Sequence, residues 1–154
     1  MIFDLIVEIA AIVSVLALWI LVAATYSELP DVIPVHYDAT GQADAYGDKS
    51  KILELPVIAT VLYAGLTILS RFPQIFNYPV RITENNASMQ YRNAARMLRC
   101  VKFSIVLIFG GIVLQTIRNV GGHTEGLGTW SLPVTLAIIF VPVIYFGVKS
   151  FLYR

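Results

Sequence analysis

Four apolar runs, each close to the length needed to cross a bilayer, limit what this chain can become. The hydrocarbon core is about 30 Å thick, and a helix rising 1.5 Å per residue crosses it in about 20 residues. The runs cover residues 5–25, 52–70, 101–118 and 130–149, and a helical pattern continues upstream of the third. Glu8 interrupts the first run, Glu54 and Pro56 lie near the start of the second, and Pro142 is expected to kink the fourth. Lipid offers the backbone no hydrogen bonds, so each run should be a helix. The 154 residues are 57% hydrophobic and 14% charged, against about 25% charged in soluble domains. A soluble enzyme, a disordered chain and a disulfide scaffold are excluded. A net charge of +1 lacks the basic surplus of a nucleic-acid binder, and the single cysteine, Cys100, has no intrachain partner. The expected fold is one all-α membrane domain, a bundle of four transmembrane helices over residues 1–154. Its connections are an outer loop (26–51), a cytoplasmic loop (71–100) and a second outer loop (119–129).

Orientation follows from the cationic residues near the spans. Arg71, Arg81, Arg92, Arg96, Arg99, Lys102, Lys149 and Arg154 fall on one side, and only Lys49, Lys51 and Arg118 on the other. Both termini and the middle loop are therefore expected in the cytoplasm of a cell bounded by a cytoplasmic membrane. The leader Met1-Ile2-Phe3-Asp4 has no Lys or Arg, so the first run reads as an uncleaved anchor.

In the middle loop, Pro73 and Pro79 enforce an extended or turned path. From about Glu84 a helix is expected, with Ala87, Tyr91, Ala94, Ala95 and Leu98 on an apolar stripe. Arg92, Arg96 and Arg99 form a second, basic stripe, which suits an amphipathic helix at the inner headgroup layer feeding the third span. Two readings of these arginines stand: topology and anionic-lipid contact, or docking of an acidic cytoplasmic protein partner. The Asn86-Ala87-Ser88 sequon is read as accidental on that side. Asp4 and Glu8 share a helical face, and Lys102 or Arg99 is expected to neutralise Glu8. Glu54 and Arg118 are expected to pair at the outer side. Gly110-Gly111 and Gln115 suit close helix packing, which also makes a homo-oligomer an expectation.

The first outer loop carries the most information. Pro30 and Pro34 enforce an extended entry, and Asp38-Ala39-Thr40-Gly41 has Asp opening and Gly closing a type I turn. A short hairpin is expected to pair residues 33–37 with 42–46, and Gly47 to permit a second tight turn. His36, Asp38, Asp44 and Asp48 crowd this segment. Imidazole and carboxylate are ligand types for zinc or manganese, and extended spacing puts His36 and Asp38 on one face. His36, Asp38 and Asp44 are thus candidate metal ligands, which His123 and Glu125 of the second outer loop could complete. The competing reading is that the aspartates cap turns and His36 bonds locally.

The run Leu29-Pro30-Asp31-x-Ile33-Pro34-x-His36-Tyr37-Asp38-x-x-Gly41-x-x-Asp44-x-Tyr46-Gly47-x-Lys49 resembles the signature of the SdpI-like integral membrane family. That is the domain-of-unknown-function family containing the immunity protein of the Sdp toxin system. Asp38 departs from the asparagine common among relatives. Phe76-Asn77-Tyr78-Pro79-Val80 is similar to a relative's cytoplasmic loop. The resemblance implies a multi-span prokaryotic protein with His36, Gly41, Asp44, Gly47 and Lys49 in its functional motif. It also implies a role in immunity or signalling.

Three functional readings remain open. The outer loop recognises a toxin peptide or lipid-like ligand; or His36, Asp44 and Lys49 serve a membrane enzyme with a metal-dependent outer site; or the chain is a structural or accessory subunit.

Overall fold

The computed structural model describes residues 2–152 and contains the four expected membrane-length helices. Arg154, counted above for orientation, lies outside the described residues. Helix α1 (Ile2–Thr25) leads through a 3-10 turn into an antiparallel hairpin, β1 (Val32–Tyr37) and β2 (Ala43–Asp48). A second 3-10 segment, Lys49–Leu53, delivers the chain into α2 (Glu54–Leu69). The connection past Pro73 and Pro79 then reaches α3 (Ala87–Val120), and α4 (Ser131–Leu152) closes the bundle.

Helix α3 is the hub, packing against α1, α2 and α4. Its 34 residues make a rod of about 51 Å, longer than the apolar core is thick. Much of the buried core lies toward its hairpin end, where Leu18 and Val22 of α1, Ala59 of α2 and Val113 of α3 meet Leu29, Ile33 and Ile52 from the loop. Outward faces keep Leu16, Ile20, Val61, Phe140 and Ile144 exposed. Lipid tails are as apolar as these side chains, so burial gains little there and polar contacts do more of the specifying. Trp19 Nε1 donates to Thr60 Oγ1 at 3.0 Å, tying α1 to α2. Pro142 lies inside α4 and has no N–H, which releases the carbonyl four residues earlier. Ser104 Oγ of α3 donates to that carbonyl, Ile138 O, at 2.9 Å.

At the end opposite the hairpin, α1 and α3 exchange charges. Arg96 donates to both oxygens of Asp4 at 2.9 and 3.0 Å, and Arg99 Nη1 reaches Asp4 at 3.0 Å. Lys102 donates to Glu8 at 2.6 Å and to Thr67 of α2 at 2.7 Å, while Tyr63 of α2 also donates to Glu8 at 2.6 Å. The expected neutralisation of Glu8 is present, with Arg99 more distant at 3.9 Å.

Two expectations are corrected, those for Glu54 and for the glycine pair. The amphipathic helix expected to feed the third span is the unbroken first part of α3. Its inward face is held by α4: Gln90 Nε2 donates to Ser150 O at 2.8 Å and Asn93 Nδ2 to Phe146 O at 2.8 Å. Glu54 pairs with Lys51, three residues away on the same segment, rather than with Arg118. Gly110 and Gly111 do not mark a close helix crossing within the chain, since an added Cβ at either meets nothing within 4 Å. Asn86 of the sequon is buried and engaged, accepting from Thr83 N and donating to Arg81 O.

Candidate functional site

The hairpin forms because its turn is chemically specified. Asp38 Oδ1 accepts from Thr40 N at 2.8 Å, Thr40 Oγ1 at 2.6 Å and Gln42 N at 3.0 Å. Gly41 N returns to Asp38 O at 2.9 Å, and Gly41 itself takes a φ of 84°. This is a type I turn followed by a left-handed residue, a favoured hairpin closure. The Thr40 hydroxyl and the Gln42 amide hold the Asp38 carboxyl below its ordinary range. Asp48 plays the same part at the exit, where its Oδ1 caps the 3-10 segment through Ser50 N at 2.8 Å. The Ser50 hydroxyl and then its amide lower that carboxyl too.

Two residues dock the hairpin on the bundle, and a third closes the loop on itself. Ile33 is 1% exposed and sits in the core. Tyr37 Oη shares a 2.8 Å hydrogen bond with Thr116 Oγ1 and accepts from Asn119 Nδ2 at 3.2 Å. Lys49 Nζ pairs with Asp31 at 3.0 Å while Lys49 N donates to Asp31 O, so this lysine latches the two ends of the loop. The second loop closes over the turn: Leu127 N donates to Gly41 O at 2.6 Å. A Cβ on Gly41 would collide with the Gly128 carbonyl, so the close approach as well as the positive φ requires glycine.

The strand register decides which side chains meet. Partners run Pro34 with Tyr46, His36 with Ala45 and Tyr37 with Ala43, with irregularities on both sides of His36. Pro34 has no N–H to contribute, and bulges of this kind re-aim side chains. His36 Nδ1 consequently meets Asp44 Oδ1 at 2.5 Å, with side chains 67% and 46% exposed. Asp38 turns back onto its own loop. The expected three-ligand set of His36, Asp38 and Asp44 is therefore not assembled. Among the described residues no group of three or more His, Cys, Asp or Glu side chains stands at metal-binding distances. Gly47 makes no tight turn; it lies within β2, where a Cβ would meet Val35 Cγ1 at 3.2 Å. His123 lines a recess with Glu28 and Arg118, and Glu125 lines another with Gln42 and Tyr46. Of the basic stripe at the far end, Arg96 and Arg99 are engaged with Asp4, and Arg92 is exposed.

Between the hairpin, α2 and α3 lies a cavity of about 310 Å³. Ile33, Val35, Ile58, Ile112 and Val113 contribute apolar wall, and His36, Lys51 and Glu54 contribute polar groups. The Tyr37–Thr116–Asn119 contacts that dock β1 on α3 were not anticipated. They join residues about 80 positions apart, and no local pattern signals such a pair.

Residues 13–60 match a family described as a domain of unknown function (DUF1648). The match runs from α1 through the whole hairpin into α2. The chain is also similar to an uncharacterised protein of Archaeoglobus fulgidus, 30% identical over 76 residues. That alignment covers 44% of this chain and 42% of the archaeal protein, so the chain spans less than half of that relative's length. No solved structure matches.

Proposed function

We propose that this membrane protein recognises an amphipathic ligand, a peptide or lipid-like molecule, on the extracytoplasmic side, in the manner of an SdpI-like immunity or signalling protein. The observation that carries the reading is the His36–Asp44 pair beside an apolar cavity. An ionised carboxylate only accepts hydrogen bonds, so Asp44 holds the His36 proton on Nδ1 and leaves Nε2 for a ligand. The cavity takes the ligand's apolar part, and Lys51 and Glu54 offer charge beside it. Gly41, Asp38 and Lys49 serve by fixing the loop. The eight-to-three cation distribution supports the orientation, and the exposed Arg92 is what the basic stripe leaves for a cytoplasmic partner.

The test is protection of sensitive cells from a membrane-active peptide toxin by wild type, His36→Ala and Asp44→Ala at matched membrane levels. Protection by wild type that falls at least tenfold in both variants supports recognition. No protection by wild type, or undiminished protection by both variants, refutes it. A second reading is favoured by the same pair, because a carboxylate behind one imidazole nitrogen is how metal-ligating histidines are oriented. Stoichiometric zinc or manganese in the purified wild type, lost in His36→Ala, would replace recognition with a metal-dependent membrane enzyme.

A further inference from the structure

We propose that the end of the bundle opposite the hairpin holds a second site, which takes a small, neutral, apolar molecule carrying one hydroxyl or N–H donor. A cavity of about 290 Å³ lies between α3, α4 and the connection from α2 to α3. Leu69, Phe76, Met97, Val143 and Phe146 line it, and among the described residues no charged side chain does. A phosphate or other ionic headgroup would find no counter-charge there, so the occupant is neutral. At about 30 Å³ for a water-sized group, the space admits about ten such groups, the size of a bicyclic ring or a medium-length alkyl chain.

The donor requirement comes from Asn93, which lines this cavity and is 6% exposed. Its Nδ2 donates to Phe146 O at 2.8 Å, but among the described residues its Oδ1 has no hydrogen-bond partner. Buried carboxamide oxygens are nearly always paired, and an exception calls for a missing partner. One turn earlier, Gln90 faces the same helix and is satisfied at both atoms: Nε2 donates to Ser150 O and Oε1 accepts from Ser150 Oγ at 2.5 Å. Helix α4 thus completes one carboxamide and leaves the next half-made at a residue that borders the cavity. Neighbouring hydroxyls do not fill the gap, because Ser150 is committed to Gln90 and Tyr78 Oη donates to Pro73 O at 2.8 Å. Burial, and then the nearby Tyr91 ring, push the Tyr78 phenol up to about 12, so it stays neutral at physiological pH.

The experiment uses the full chain in phosphatidylcholine nanodiscs, titrated with indole and with benzothiophene, which has the same bicyclic shape but no donor. Saturable stabilisation by indole is expected, with benzothiophene at least tenfold weaker. Partition into lipid favours benzothiophene, which has no polar group to desolvate, so the bilayer cannot create that preference. Asn93→Leu should erase the ratio. A second variant, Gly147→Leu, covers the case of an Asn93 variant that does not fold. Gly147 lines the cavity and an added Cβ there meets nothing within 4 Å, so leucine should occupy the space and abolish binding of both probes. Equal binding of the two probes, no binding of either, or full binding by Gly147→Leu would each overturn the proposal. Doping the bilayer with diacylglycerol identifies the source. Competition with indole supports a lipid hydroxyl as occupant, and its absence supports a ligand drawn from water.

Discussion

Replacing Lys102 by methionine tests whether the charges linking α1 to α3 hold the bundle together. Lys102 is 1% exposed, and its ammonium meets Glu8 at 2.6 Å and Thr67 at 2.7 Å, with the Tyr63 ring centroid at 4.5 Å. Methionine keeps the stem and removes the charge. Glu8 then retains one hydrogen bond from Tyr63 and a guanidinium at 3.9 Å. Breaking one side of a buried pair costs about 3–5 kcal/mol. A second limit is neutralising the stranded carboxyl. An ordinary glutamate lies about 2.7 units below pH 7, at about 1.4 kcal/mol per unit, which gives about 4 kcal/mol. Glu8 remains 28% exposed at its side chain, so the lower part of the range applies, about 3 kcal/mol. Glu8→Gln strands the ammonium instead and should cost a similar amount. The double variant removes both charges and should lose about 1 kcal/mol, because apolar replacement of a whole buried pair is often close to neutral. Reversible unfolding in mixed micelles, followed by tryptophan fluorescence, reads this cycle, with Trp19 reporting from the α1–α2 contact. Single variants costing under about 1 kcal/mol, or a double variant equal to the sum of the singles, would refute the argument.

Two further outcomes follow from the same kind of accounting. The Asp38 carboxyl is lowered in the folded turn, so its stabilisation is present above the ordinary carboxylate pKa and is lost as pH falls through the folded value. Amide exchange at Thr40 and Gln42, corrected for intrinsic rates, should therefore be protected at neutral pH and lose protection in acid. Asp38→Ala should remove that dependence, and a flat wild-type profile would contradict it. Ser104→Ala leaves the carbonyl freed by Pro142 without its donor, at a cost of about 1–2 kcal/mol in thermal unfolding. In a Pro142→Ala background, where the helix regains its own N–H, the cost should nearly vanish; an equal cost in both backgrounds would count against the account.

The four spans were legible because bilayer thickness converts directly into residue number, and the hairpin because Asp38 and Gly41 specify its turn. Glu8 and Lys102 were legible for a simpler reason, since a lone charge in lipid demands its opposite. What escaped depended on register and on partners distant in the chain. Turn-capping by Asp38 and a local bond for His36 are among the readings the sequence admits, but the irregularity around His36 decides that its partner is Asp44, and strict alternation does not foresee a bulge. Gly47 resembles a turn residue but is needed small because Val35 lies across from it. Gln90 and Asn93 carry no local signal of burial, yet α4 makes their face a buried one. Arg96 was grouped with Arg92 by spacing, although its carboxylate partner lies 92 residues earlier.

That separation has a consequence for how the protein is made. Asp4 and Glu8 reach the membrane 92 and 94 residues before the cations that satisfy them, Arg96 and Lys102. At about 5–20 residues per second, α1 waits between about 5 and about 20 seconds for its cationic partners on α3. During that interval its charged end belongs at the water interface, or in the care of the insertion machinery. Although α1 is made before α3, it is therefore expected to reach its final depth only once α3 arrives.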